Sequence, residues 1–152
     1  MSTTTPCRRV RLTGSLEIAL PTEEAFVLFT PSGERTWAHG WDPRFLGPVT
    51  DETEPGTVFR TLHGERESIW IVVRCASVGL IEYSVVTPEE CCGLVTVSCE
   101  PSGSGTKATV SYDLTSLGIE SNARLNRFAA NFPAFLSHWE ISIATSIHEN
   151  RQ

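Results

Sequence analysis

LNRFAANFPAFLSHWEISIATSI, residues 125–147, places Leu125, Phe128, Phe132, Phe135, Leu136, Trp139, Ile143 and Ile147 at steps of three and four. A period near 3.6 puts these side chains on one side of a helix. Arg124, Arg127, Glu140 and His148 fall off this stripe or flank it. Pro133 interrupts the pattern; it lacks a backbone donor and crowds the preceding turn, so a kink or break is expected near Asn131. The stripe is unusually rich in aromatic rings, and such a face needs a broad apolar surface to lie on.

Upstream of Gly118 only one such surface can form. Val10, Leu12, Leu16, Ile18 and Leu20 alternate with Arg11, Thr13, Ser15 and Glu17, the period of a half-buried strand. Thr22 is a plausible cap for a short helix in which Glu23 and Glu24 favour the positive end. Pro31 and Gly33 end it, and a second short helical turn carries the chain to Trp37. An ordered aromatic loop, Trp37 to Phe45, follows. Further strands are expected at Val58–Leu62, Ser68–Cys75, Leu80–Val86, Leu94–Glu100 and Lys107–Leu114, with a short one near Val49. Close spacing and short turns imply antiparallel hairpins.

Hairpin arithmetic assigns the faces. A loop at Ser102–Gly105 sets Cys99 opposite Ala108, Val97 opposite Val110 and Val95 opposite Tyr112 on an apolar face. The other face then pairs Glu100 with Lys107, Ser98 with Thr109 and Thr96 with Ser111, so opposite charges meet directly. A turn at Ser77–Gly79 likewise brings Trp70, Val72 and Arg74 beside Ile81, Tyr83 and Val85. Ile71, Val73, Cys75 and Leu80 are then left as an outer patch, suited to a partner protein or a homodimer contact.

The chain has 152 residues, enough for one domain, read here as a flexible tail over 1–8 and a single unit over 9–149. Its formal net charge of −6 argues against general nucleic-acid binding. Arg8, Arg9 and Arg11, the basic cluster, read as the solvated end of the first strand. No run of 18 apolar residues is present, so no stable membrane insertion is expected. The N-terminus has no apolar signal core, which points to the cytoplasm. The 5 cysteines include no CxxC pair, and reduced packing residues are the simplest reading; a redox role for the adjacent Cys91 and Cys92 stays open. No zinc-ligand spacing, HExxH, GxSxG or phosphate-binding glycine loop occurs, so neither a metal nor a cofactor is expected.

Strand, two short helices, a run of antiparallel strands and a long terminal helix is an α+β order. On Pro21–Phe26 after a strand, Ile81–Pro88 followed by Gly93–Val97, and Gly105–Tyr112 followed by Leu117 and the helix near Trp139, the chain resembles the SRPBCC superfamily. That group includes START domains, the birch pollen allergen family and polyketide cyclase-like proteins. The resemblance spans residues 10 to 148 and implies a helix-grip fold: a curved antiparallel sheet of six to seven strands wrapped around the C-terminal helix. It also implies a cavity for a hydrophobic or amphipathic small molecule. It implies no particular reaction, because the superfamily shares no catalytic motif.

The expected ligand contacts are Trp41, His63, Trp70, Arg74, Tyr83, Tyr112, Phe128, Phe132 and Trp139. The same rings would serve equally as ordinary core filling; their number on one curved surface favours a pocket. Arg74 falls on the apolar face, where an unpaired guanidinium is costly, so its head belongs at a wet rim or against an acid. His39 and His63 read as exposed loop histidines, with an acid–base role at a pocket entrance as the alternative. Asp42 and Arg44 read as a structural ion pair beside Trp41. The leading expectation is small hydrophobic ligand binding, with polyketide cyclase-like chemistry open. The alternatives are a protein-interaction domain resembling the heat-shock ATPase activator family, and a lipid or quinone carrier.

Overall fold

The computed structural model describes residues 6–76 and 79–150. Alternating apolar and polar residues build β1 (Arg9–Ile18), β3 (Val58–His63), β4 (Arg66–Ala76), β5 (Leu80–Thr87), β6 (Cys91–Ser102) and β7 (Gly105–Ser116). A two-residue β2 (Arg44–Phe45) completes a seven-stranded sheet in the order β1-β7-β6-β5-β4-β3-β2. Every neighbouring pair is antiparallel. The short strand is not at Val49: Phe45 pairs with Phe59, and the chain around Val49 is irregular.

The β6–β7 register is the one the charge pairing implies, with Glu100 opposite Lys107 and Val97 opposite Val110. In β4–β5 the register departs from simple alternation. Val72 pairs with Tyr83, but Arg74 pairs with Glu82 and Cys75 with Ile81. The extra residue is a β-bulge, which turns every following side chain to the other face. Arg74 therefore lies on the outer face, 3.3 Å from the Glu82 carboxylate, and its side chain is 61% exposed. Cys75 turns inward against the core, so Ile71 and Val73 remain exposed outside without it. The bulge removes the cost of a buried, unpaired guanidinium. The Ser77–Gly79 turn lies partly outside the described residues, at Ser77 and Val78. Because the Arg74 side chain is largely exposed and Thr96 Oγ1 still donates to Glu82 at 2.8 Å, Arg74→Ala should lower stability by only about 1 kcal/mol in thermal denaturation.

α1 (Thr22–Val27) and a single 3-10 turn at Gly33–Thr36 follow β1. At the other end a 3-10 turn, Ile119–Ser121, leads into α2 (Asn122–Asn150). α2 stays one helix through Pro133; no break occurs near Asn131. Pro133 sits on the exposed side, where water can satisfy the carbonyl that it leaves without a donor. The helix buries Leu125, Phe132, Leu136 and Ile143. Its close approach to β1 requires a bare backbone at Gly14, where a Cβ would stand 2.5 Å from Leu136 Cδ1. The Glu17 N–H also donates to Glu140 Oε2 at 2.8 Å.

Residues 1–5 of the expected tail lie outside the described residues. Next to them, the Arg8 N–H donates to Ser116 Oγ at 2.9 Å, and Asn122 Nδ2 donates to the Pro6 carbonyl at 3.1 Å. These bonds tie the chain start to the end of β7 and the start of α2. Arg9 and Arg11 pair with Asp113 on the wet face at 2.7 and 3.8 Å. No described helix is long and apolar enough to cross a membrane.

Candidate functional site

α1 and the loop after it close one end of the gap between sheet and α2. Thr30 Oγ1 donates to the Val27 carbonyl at 2.7 Å and accepts from the Gly33 N–H at 3.2 Å. Gly33 is pressed so near that carbonyl that a Cβ would lie 1.7 Å from it. The next residues turn as a 3-10 helix, and Trp37 follows Glu34 by one helical turn. The Trp37 indole N–H donates to the Leu28 carbonyl and that of Trp41 to the Pro31 carbonyl, each at 2.8 Å. Buried indoles need such partners, and here the bonds fix the ring planes. Asp42 bonds Arg35 at 3.3 Å and Arg44 at 3.4 Å on the loop surface.

These rings meet others from the sheet and from α2. Trp37 crosses Trp139 edge-on at 5.0 Å, and Trp41 crosses Trp70 at 5.3 Å. The Trp70 N–H donates to Thr61 Oγ1 at 3.0 Å, and the Tyr83 hydroxyl donates to the Phe29 carbonyl at 2.7 Å. Between them lies a chamber of about 200 Å³. All 4 tryptophans of the chain line it: Trp37, Trp41, Trp70 and Trp139. Phe29, Tyr83, Tyr112 and Phe135 complete the aromatic wall, with Val95 and Val97 on the sheet side. A cavity of about 150 Å³ is enough to hold benzene, so this chamber suits a single ring with a short substituent.

A second space of about 470 Å³ opens toward the start of α2. It shares Trp70, Tyr112 and Phe135 with the chamber and adds Leu114, Leu125 and Phe128. Its rim is polar. Glu90 pairs with Arg66 on one side and with Arg124 at 3.3 Å on the other, and His63 stands nearby.

The residues singled out from sequence divide among these spaces. Trp41, Tyr83 and Trp139 line the chamber, Trp70 and Tyr112 line both spaces, and His63 and Phe128 line the outer groove. Phe132 lines neither; it is buried under α2 with ring contacts to Tyr112 at 5.7 Å and Phe128 at 5.9 Å. Arg74 is on the opposite face of the sheet, and His39 is exposed in its loop. Sequence reasoning passed over Phe29, Trp37, Phe135 and above all Glu34. The spacing of Glu34, one turn before a tryptophan, is compatible with an inward side chain but does not specify one. Among the described residues no metal-ligating cluster of His, Cys, Asp and Glu occurs.

Glu34 is the one charged side chain among the described residues that line the chamber. No described group donates a hydrogen bond to its carboxylate or pairs with it. Every fully enclosed side-chain nitrogen or oxygen among the described residues does have a partner, so the Glu34 oxygens are not fully enclosed, and Glu34 is among the residues that line the chamber. Burial pushes this carboxyl well above the usual carboxylate range. Although Glu34 and Tyr112 both retain accessible surface, the strong desolvation of each fits a surface that belongs to the cavity wall. Burial first, and then the nearby Glu34 charge, raise the Tyr112 phenol; Tyr83 is raised by the same causes, with Glu52 and Cys75 adding to them. The Cys91 thiol is likewise raised by burial and by Glu90, which keeps it protonated and poorly nucleophilic.

An acid whose pKa is higher in the folded than in the unfolded chain binds more protons when folded. Stability then falls as pH rises from the unfolded value, near 4.3, through the raised folded one. Glu34→Gln should remove that fall. The variant should match the parent at pH 4 and exceed it at pH 8, by about 1.4 kcal/mol for each tenfold change in the ionisation constant. Chemical denaturation at the two pH values checks this.

The sequence matches no protein-family model and no curated protein. Solved structures do match the fold. An uncharacterized protein from Rhizobium leguminosarum superposes with a TM-score of 0.67 at 17% identity, over 94% of this chain and 99% of that one. A truncated norcoclaurine synthase from Thalictrum flavum gives 0.66 at 12% identity, over 97% and 98%. CalU16 from Micromonospora echinospora gives 0.59 at 14% identity, over 97% and 90%. Identities this low speak for architecture alone. With its seven-stranded sheet gripping α2, the chain has the helix-grip fold.

Proposed function

We propose that this protein binds a small hydrophobic or amphipathic molecule between the sheet and α2. The observation that carries the reading is the aromatic chamber of about 200 Å³ that shares Trp70, Tyr112 and Phe135 with a wider groove. An ordinary core closes such space, because interiors pack with few voids larger than a water molecule. The ring of the ligand occupies the chamber, and any longer apolar portion follows the groove toward Leu125 and Phe128. Burying about 300 Å² of apolar ligand surface contributes about 7 kcal/mol before association costs.

The polar end of the ligand meets what the chamber leaves unbonded: the Glu34 carboxyl and the Tyr112 hydroxyl. An acid and a phenol facing one ligand can also pass protons, so cyclase-like chemistry belongs to the same reading. One structural neighbour is named a synthase, norcoclaurine synthase, and presents the same fold.

Native mass spectrometry of the purified protein tests the proposal. A retained small molecule, or uptake of an added apolar probe with a change in tryptophan emission, supports it. A protein that emerges empty and binds none of a panel of ring-sized probes contradicts it.

A further inference from the structure

We infer that the chamber selects a compact organic cation, a protonated amine carried on a single ring, with Glu34 as its counter-ion and the tryptophan faces as its cage. This inference rests on the ligand-binding reading above and names the ligand class for that site.

The charge pattern carries the argument. Among the described residues lining the chamber there is one acid, Glu34, and there is no Arg, Lys or His. An anionic ligand would meet no cation in this space and would be repelled by Glu34 wherever that carboxyl is ionised. Indole rings have electron-rich faces that attract cations, most strongly where water is excluded. Trp37, Trp41 and Trp70 have their N–H groups already bonded within the protein, at 2.8, 2.8 and 3.0 Å. Those three therefore offer the ligand ring faces and not donors, which leaves the Trp139 N–H and the Tyr112 hydroxyl as the donors of the lining. Tyr83 is spent in the same way on the Phe29 carbonyl. A buried acid without a partner is costly, and Glu34 has none among the described residues. An ammonium group supplies the missing partner, while its hydrocarbon ring fills the remaining volume.

Charge at Glu34 sets how this binding depends on pH. The titratable groups that face it are Tyr83 from β5 and Tyr112 from β7; Glu52, which accepts from the Ser32 N–H at 3.0 Å, and Cys75 also act on Tyr83. Both phenols are raised above their ordinary range and stay neutral at working pH. Only the ionised Glu34 pairs with an ammonium. Affinity for a cation must therefore rise with pH through the raised carboxyl range, as long as the amine itself stays protonated.

Benzylammonium, benzyl alcohol and benzoate share one ring and differ in head group. Each is titrated into the parent protein and into Glu34→Gln at pH 5 and pH 8, with calorimetry and tryptophan emission as readouts and thermal melts to confirm folding. Benzylammonium should bind at least tenfold more tightly than benzyl alcohol to the parent at pH 8. That advantage should shrink at pH 5 and vanish in Glu34→Gln, while benzoate binds weakest throughout. Benzyl alcohol binding as well as benzylammonium, or better at pH 5 than at pH 8, overturns the inference in favour of a protonated Glu34 acting as a donor. Preference for benzoate overturns it as well. In either case the binding site stands. If none of the three compounds binds, the inference falls, and the ligand-binding reading falls with it only if native mass spectrometry also finds the protein empty.

Discussion

Phe59→Ala should cost about 3–5 kcal/mol, the usual range for removing a fully buried phenylalanine, and lower the melting temperature by roughly 6–20 °C. Phe59 is 0% exposed and has more ring neighbours than a simple core filler requires. It stacks parallel to Trp70 at 6.0 Å and meets Trp41 edge-on at 6.0 Å and Tyr83 at 5.9 Å. All three of those side chains line the chamber, so Phe59 is the backing on which that wall stands. Truncation should do two things together: destabilise the fold, and let Trp41 and Trp70 reorient. Thermal denaturation measures the first, and altered tryptophan emission below the transition measures the second. Phe45 also touches Phe59, at 5.6 Å, but is only half-buried on the short edge strand. Phe45→Ala should therefore cost clearly less.

Val95→Phe should abolish ligand binding, lowering affinity at least 100-fold, while leaving stability unchanged or raised. In a filled interior the added atoms would force neighbours apart and cost about 1–3 kcal/mol. Val95 instead stands on the chamber wall between Tyr83 of β5 and Tyr112 of β7, its cross-strand partners. A phenyl group there enters empty space, gains contacts with surrounding rings and occupies the volume that a ligand needs. Stability and affinity should thus move independently. A stability loss of the overpacking kind, with affinity retained, would show that the chamber is closed in solution.

Much of this architecture was legible in the residues because two periods coexist in one chain. The 3.6-residue stripe from Leu125 to Ile147 specified a helix with one aromatic face, and Glu100 opposite Lys107 locked a register that period two alone leaves free. The bulge in β4 was not legible. Ile71, Val72, Val73 and Cys75 are all apolar, so period two alone does not mark where the alternation slips, and Arg74 at the core face could still have reached a wet rim. What decides between the two registers is the pairing of Arg74 with Glu82, a contact visible only once both strands are placed. Glu34 escaped for a related reason. A charged residue directly after Pro31 and Gly33 reads as part of a solvated turn. Its inward course depends on the contact of Gly33 with the Val27 carbonyl, which the sequence does not announce. Pro133 misled in the opposite direction. Its rule concerns backbone satisfaction, and an exposed helix side can meet that need with water.

Ligand binding requires that the space bounded by Phe29, Trp37, Tyr83 and Trp139 be open in the folded protein. Xenon occupies apolar cavities and ignores filled cores. A crystal of the protein held under xenon should show the gas bound inside that ring of side chains, with the ring positions unchanged. Xenon absent from the chamber, with those side chains collapsed into contact, would show that the folded protein has no room there for a ligand.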